Sequence, residues 1–462
     1  MSNQRVTIIA RTVEKPVDSL IKNNVSFEPD DMREEALILS GKAAGVCYMP
    51  DTYLSNGIQD DEKALKRVKG NAKSGHYSVF EHSHFTFLVE TNKAMAMVLN
   101  STKLYSTSEK SARYTTMNPE TEIEKKMYNK WASKLKDIIN KTYPGEYTEK
   151  EVEKLALENA RYFLSVFTPT VMIYTLPFNR VILLCEWLDK MVATIREMFI
   201  NDIFENDNTN RAFFSRLSVE AEDLAEQFRK TLNLSKEEPI IVDHKDIGIN
   251  LFNSLYYYER KDLISLRDSK SDVKNIMHSP NIDFLKNDIY SSNCFYSFAC
   301  LAQEQRHRTL TYTISSILEN YFYTPKILDT TELINEWNKD MVEVSKNNIV
   351  PQATMLFVRE SGSFDNFFLK CKERLCMRAQ KEIFDVTASQ IANMYHQVSS
   401  EDIRMNTYES LSPLNRARLL SMYYQLDNPH YLSLMPRCMW PGYTCKEPCN
   451  HMIFNCVTTR LI

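Results

Sequence analysis

The sequence predicts an α+β protein built from two tandem copies of one domain. Three observations carry that expectation. At 462 residues the chain is too long for one ordinary core and long enough for two or three domains. Alternating, β-rich apolar runs pass repeatedly into stretches with helical spacing. The order of these runs recurs about two hundred residues further on, a period too long for a solenoid and suited to a duplicated domain.

The elements follow in order. RVTIIAR (5–11) alternates as a strand does, and MREEALILSGKAAGVCY (32–48) has helical spacing with Asp30 and Asp31 placed as caps. HFTFLVE (84–90) reads as a second strand, and NKAMAMVLNSTKLYS (92–106) reads as helical. EKEVEKLALENARYFLSVF and NRVILLCEWLDKMVATIREMF read as two long amphipathic helices separated by TPTVMIYTLP. The chain turns polar over 203–245 (FENDNTN, NLSKEEP), as a connection between halves would.

NCFYSFACLAQEQRHRT then repeats the earlier course, an aromatic β-like run entering a polar-faced helix. KNNIVPQATMLFVRESGSFDNFFLKCKERLCMRAQKEIFDVTASQI supplies helix, break and helix, in parallel with the 158–199 stretch. The expected division is a first domain at 1–205, a connecting segment at 206–240, a second domain at 241–400 and a cysteine-containing extension at 401–462. Each domain is a small, mostly antiparallel sheet with long helices. Two such copies in one chain reproduce what a two-fold homodimer makes from two, a pseudo-dimer.

Composition excludes several classes of function. The formal net charge is −4, so no global basic field recruits nucleic acid or an anionic membrane, and any anion site is local. Neither GxGxxG nor GxxxxGK[ST] occurs, in keeping with only 9 glycines. No run approaches the length of a spanning helix, and MSNQRVTIIARTVEK lacks the pattern of a secretion signal. Ten cysteines without a disulfide framework suit a reducing cytosol. Four of them, Cys438, Cys445, Cys449 and Cys456, accompany His451 near the end in spacings that fit no standard zinc pattern, so no metal is expected.

Four stretches carry chemistry. GHYSVFEH (75–82) sets two histidines and a glutamate before a strand, as a binding loop or a polar surface loop does. SEKSARY (108–114) spaces hydroxyls, Glu109 and Arg113 along a helix or turn, which an exposed charged face also does. QEQRHRT (303–309) clusters Arg306, His307 and Arg308 in an otherwise slightly acidic chain. Arg161 and Arg374 each lie on an amphipathic helix, where a lone arginine is ordinarily a surface residue.

Together these stretches resemble the flavin-dependent thymidylate synthases (ThyX). That family carries a GHxSxxEH-like stretch, then QxxRHRxxSxxxExSxRY, then ExxRxxLP and a helix ending in arginine before AQxEI. Here the long motif is split. The first half keeps Glu109, Ser111, Arg113 and Tyr114 at the ExSxRY positions, but has Ser101, Thr102 and Lys103 where RHR should stand. The second half keeps Gln303, Arg306, His307 and Arg308, but has Ile314, Ser316 and Leu318 at ExSxR. Glu158 and Arg161 preserve ExxR in the first half, where the second has Asn347. Arg374 and Ala379-Gln380-Lys381-Glu382-Ile383 preserve the late motif in the second half, where the first has Leu188.

The resemblance implies one composite active site per chain, formed from two complementary half-motifs. It places Gln303, Arg306, Glu109, Ser111, Arg113, Arg161 and Arg374 on the nucleotide, and His76, Ser78, Glu81, Arg306, His307, Arg308 and Glu109 on FAD. Arginine suits a nucleoside monophosphate because its planar fork grips phosphate oxygens bidentately and stays charged. The implied catalytic residue is Arg374, a cation facing the pyrimidine ring as negative charge develops there. The implied reaction is C5 methylation of dUMP to dTMP, with methylenetetrahydrofolate and NADPH as co-substrates. Alternatives are a related C5 modification such as hydroxymethylation, or a non-catalytic nucleotide-binding homologue. The implied assembly is a cytoplasmic homodimer equivalent to the family's tetramer, with no nucleic-acid or membrane partner.

Overall fold

A computed structural model describes residues 4–12, 32–48, 53–102, 105–111, 117–237, 289–306, 310–376, 379–399 and 461–462. The fold is a mixture of helices and antiparallel sheets. The chain divides into two compact units that interleave along the sequence. One takes 1–111, 169–205 and 213–248; the other takes 112–168, 206–212 and 249–462.

The first unit holds a four-stranded antiparallel sheet made of β1 (Arg5–Arg11), β2 (His84–Asn92), β3 (Ser106–Glu109) and β4 (Pro169–Pro177). Its spatial order is β1-β2-β4-β3. Phe85, Phe87 and Val89 of β2 are buried while His84 is exposed, the period-2 pattern of a sheet with one covered face. Helices α1 (Met32–Tyr48) and α2 (Asp61–Ser74) pack closely at Gly41, where any Cβ would overlap the Ala64 main chain. Asp60 caps α2 by accepting from the Lys63 amide at 3.0 Å.

Helix α3 (Lys93–Asn100) follows β2 directly, capped by the Asn92 side chain. It ends at Asn100, so the helical expectation for 92–106 holds only for its first part. Ser106–Glu109 instead forms β3, pairing with β4 from Ser106↔Thr175 to Glu109↔Met172. SEKSARY therefore begins on a strand, not on a helix or turn. STSE has too few apolar residues to declare a strand, and only the waiting edge of β4 makes it one.

The expected helix over 149–167 also ends early. Helix α5 (Glu149–Ala160) gives way to a 3₁₀ turn at Arg161–Phe163. It starts with a capping box between Thr148 and Glu151, as does α4 (Glu122–Thr142) with Thr121 and Glu124. Helix α6 (Phe178–Ile200) follows β4, and α7 (Asn208–Leu232) occupies most of the polar stretch between the halves. In the first unit Phe228 of α7 meets Phe87 edge-on at 5.2 Å.

The second unit holds β5 (Ile289–Ser297), β6 (Thr311–Phe322) and β7 (Thr354–Ser363) in the order β5-β7-β6. Its helices are α4, α5, α8 (Phe298–Glu304), α9 (Thr331–Ser345), α10 (Phe364–Arg374) and α11 (Lys381–Ser399). Trp131 of α4 and Trp337 of α9 meet at 4.9 Å, and Trp337 also meets Phe163 at 4.6 Å. All three rings are fully buried, and rings of this size dominate the energetics of a core.

The two sheets share one pattern. β2-β4-β3 and β5-β7-β6 have the same order and direction, and the same registers. His84↔Pro177 on β2–β4 corresponds to Ile289↔Ser363 on β5–β7, and Ser106↔Thr175 to Thr311↔Ser361. Within the second unit, Ser165 and Pro351 bridge each other. Around them Val166 N donates to Val350 O at 2.9 Å, and Gln352 N donates to Leu164 O at 2.8 Å. The bonds are reciprocal, as across a local two-fold. Among the described residues, no helix is long and apolar enough to cross a membrane.

Candidate functional site

The most concentrated polar chemistry gathers in the second unit, where β5 runs into α8. Ser297 ends β5 and caps α8, its Oγ accepting from the Cys300 amide at 3.0 Å. Its own amide and hydroxyl donate to Glu382 Oε1 and Oε2, both at 2.7 Å. Helix α8 is only seven residues long, so Gln303 falls in its last turn and Arg306 in the turn beyond it. Arg306 is exposed there.

Gln380, immediately before α11, organises the site. Its Oε1 accepts from Arg161 Nη2 at 2.8 Å and from Gln303 Nε2. Its Nε2 donates to the Tyr162 hydroxyl, which donates in turn to Glu382 Oε2 at 2.6 Å. Arg374, the last residue of α10, donates through Nη2 to the Gln303 carbonyl at 2.6 Å. Burial pushes the Glu382 carboxyl up, against the hydrogen bonds of Tyr162 and Ser297, and burial followed by the nearby Glu382 raises the Tyr162 hydroxyl.

Three of the sequence-predicted residues, Arg161, Gln303 and Arg374, are thus joined through direct bonds and one shared oxygen. Arg161 is 3 % exposed, which is not the surface arginine that its helix pattern also allowed. The Nε atoms of Arg161 and Arg374 are both buried and have no hydrogen-bond partner among the described residues. A buried guanidinium nitrogen without an acceptor is costly and calls for one.

The remaining predicted residues divide between the units. In the first unit Glu109, on β3, is held by Lys93 Nζ at 2.5 Å and by Asn100 Nδ2 at 3.4 Å. Lys93 also donates to the Lys110 carbonyl at 2.9 Å. Ser111 is half-buried just beyond β3. Gly75 closes α2 with φ at 77°, in the left-handed region that glycine tolerates, and leads into exposed His76 and Ser78. Glu81 pairs with Arg180 at 3.1 Å. Arg113, His307 and Arg308 lie outside the described residues, as does the cysteine cluster at 438–456.

Thr102, which the motif comparison sets against His307, lies just beyond α3. It is buried, its hydroxyl donating to the Leu99 carbonyl at 2.8 Å and lying 2.6 Å from the Tyr174 hydroxyl. That position is closed by protein atoms. Gln380 and Tyr162 were not assigned a role from sequence, although both sit inside quoted motifs. Lys93, opposite Glu109, carried no signal, because a single lysine opening an apolar helix looks like a surface residue.

Strand order and a buried arginine–glutamine centre define an α+β domain pair with an acceptor-seeking site in its second unit. Residues 31–190 match the sequence model of the family Thy1, thymidylate synthase complementing protein. Solved structures with a partial likeness include the UMP/dUMP methylase PolB from Streptomyces cacaoi bound with 5-Br dUMP. It is 16% identical with a TM-score of 0.25, over 39% of this chain and 76% of that one. Another is the flavin-dependent thymidylate synthase ThyX of Helicobacter pylori complexed with FAD and dUMP. It is 16% identical with a TM-score of 0.26, over 49% of this chain and 93% of that one. No curated protein matches the chain.

Proposed function

We propose that the chain is a flavin-dependent enzyme that methylates dUMP at C5, with one composite site per chain. The observation that carries this reading is the convergence of Arg161 and Arg374 on the Gln303–Gln380 pair, which sets two guanidinium groups around one pair of amides. An acceptor-rich anion such as a nucleoside monophosphate suits two converging guanidinium groups, each charge-assisted bond being worth roughly 1.5–3 kcal/mol. The family match over 31–190 and the split motif support the same reading.

In this reading Arg161, Arg306, Arg113 and Ser111 hold the phosphate, and Gln303 with Glu109 orients the nucleoside. Arg374 stabilises negative charge on the pyrimidine as C5 becomes nucleophilic. The exposed turn with His76 and Ser78, together with Glu81, Arg306, His307 and Arg308, takes the flavin. Bound flavin, recharged by NADPH, supplies hydride, and methylenetetrahydrofolate supplies the carbon. The free cysteines among the described residues suit a reducing, cytoplasmic setting, and the chain duplication and a homodimer belong to the same proposal.

The test is to incubate the purified protein with dUMP, methylenetetrahydrofolate, FAD and NADPH and weigh the nucleotide product. A yellow protein that oxidises NADPH and yields the mass of dTMP is expected. The mass of a hydroxymethyl product would move the reading to the sister reaction. A colourless protein that binds dUMP without turnover would leave only a binding role.

A further inference from the structure

Behind Arg374 lies a buried charge cluster that the site described above does not use. Lys370, one turn earlier on α10, is fully buried. Its Nζ lies 2.8 Å from Glu360 Oε2 on β7 and 3.2 Å from Glu304 Oε1 at the end of α8. It also donates to Gln390 Oε1 of α11 at 2.8 Å and to the Tyr296 hydroxyl of β5 at 3.2 Å. Tyr296 donates to Glu360 Oε2 at 2.6 Å. The other Glu304 oxygen faces Arg374 Nε at 3.8 Å. Glu304 and Glu360 thus flank Lys370, and Glu304 also faces Arg374. Burial works against the Lys370 charge, but Glu304 and then Glu360 outweigh it and hold the ammonium above the ordinary lysine range.

The internal repeat shows what the fold itself requires at these places. Glu304 is the seventh residue of α8, and Leu99 is the seventh of α3. Lys370 and Arg374 are the seventh and eleventh of α10, and Leu184 and Leu188 hold those places on α6. Glu360 faces Ser292 and Tyr312 in its sheet, as Tyr174 faces Phe87 and Thr107. Leu99, Tyr174, Leu184 and Leu188 are all buried to within 1 %. The same architecture therefore closes with apolar and aromatic side chains where the second half buries three ionisable side chains and half-buries Arg374. Replacing buried ion clusters by apolar residues is often neutral or stabilising, so stability alone does not account for them. They accompany the half that keeps Arg374, and Glu304 forms an ion pair with it.

We propose that Glu304, backed by Lys370 and Glu360, is a positioning group for Arg374. Glu304 Oε2 forms an ion pair with Nε at 3.8 Å while the Gln303 carbonyl accepts from Nη2 at 2.6 Å, so two consecutive residues of α8 bear on the guanidinium. Burial raises the Glu304 carboxyl, and Lys370 followed by Arg374 acts against that rise. The inference rests on the proposed role of Arg374 and adds what orients it.

Two variants test it. Glu304→Gln keeps the shape and removes the charge; Glu304→Leu with Lys370→Leu carries the residues of the first half, leaving Glu360 bonded to Tyr296. In at least one variant that melts like wild type, kcat should fall about 10²-fold, the cost of a misplaced catalytic group, while the dUMP dissociation constant stays near wild type. Wild-type kcat in a folded variant overturns the proposal. So does failure of both variants to fold, which would make the cluster structural. If wild type itself has no turnover, the proposed function fails separately. The readout is then hydrogen exchange of the Arg374 Nε–H by nitrogen-15 NMR. Faster exchange in Glu304→Gln than in wild type supports the positioning role, and equal exchange overturns it.

Discussion

Gln380→Leu probes the centre of the site most directly. Gln380 is 3 % exposed, so its partners have little water to turn to. The substitution removes the acceptor shared by Arg161 and Gln303 and the donor to Tyr162. The bond to the Arg161 guanidinium accounts for roughly 1.5–3 kcal/mol, and each neutral bond for about 1 kcal/mol. Arg161 already has Nε unsatisfied, so it would bury two nitrogens without acceptors. The expected loss of folding stability is about 4 kcal/mol. Urea unfolding followed by tryptophan fluorescence suits the measurement, because Trp131 and Trp337 sit in the core of the same unit. With slopes of about 1–3 kcal/mol per molar, the midpoint should drop by at least ~1 M. Gln380→Glu restores the acceptor and should cost about 1 kcal/mol. A leucine variant within about 0.5 kcal/mol of wild type would refute the reasoning, since that is the range of an unremarkable surface change. A glutamate variant as damaged as the leucine one would do the same.

Other outcomes follow from named contacts. Glu382 is raised above the ordinary glutamate value of 4.5 by burial, so the folded state binds its proton more tightly than the unfolded one. Its contribution is therefore complete below 4.5 and is lost as pH rises through its folded value; the stability gap between wild type and Glu382→Gln, read by urea titration across pH, should shrink as pH rises, and a widening gap would contradict this. Trp337→Ala, which empties a fully buried site between Trp131 and Phe163, should cost about 3–5 kcal/mol in the same assay. Arg306→Ala should weaken dUMP binding by about tenfold or more by calorimetry, since one charged bond is lost. Ser101→Ala, at the matching place in the first half, should leave binding unchanged.

Much of the fold was legible because its signals are local. β1 and β2 announce themselves by period-2 runs, and α1 and α6 by helical spacing. β3 was not legible, because STSE becomes a strand only against the edge of β4. The early end of α5 was hidden for a similar reason. Residues 164–166 extend to meet 350–352, and nothing in ENARYFLSVF reports that partner. At the site, Arg161, Gln303 and Arg374 stood out through residue type and spacing. Gln380 and Tyr162 did not, because an amide and a phenol have many bland uses.

By itself, then, the sequence determined the α+β class, a recurring order of local patterns and a set of arginines spread along the chain. These follow from side-chain periodicity and from which residue types survive in each half-motif. Tertiary structure alone decided which of those residues meet. Residues 112–168, from the first half in sequence, fold into the second unit and bring Arg161 to Gln380 across 219 positions of chain. It also decided that Glu304, Glu360 and Lys370 converge behind Arg374, while Leu99, Tyr174 and Leu184 close the matching places elsewhere. The physical reason is that a hydrogen bond or ion pair depends on distance in space, and burial sets its strength. Neither quantity is written in the local pattern of the chain.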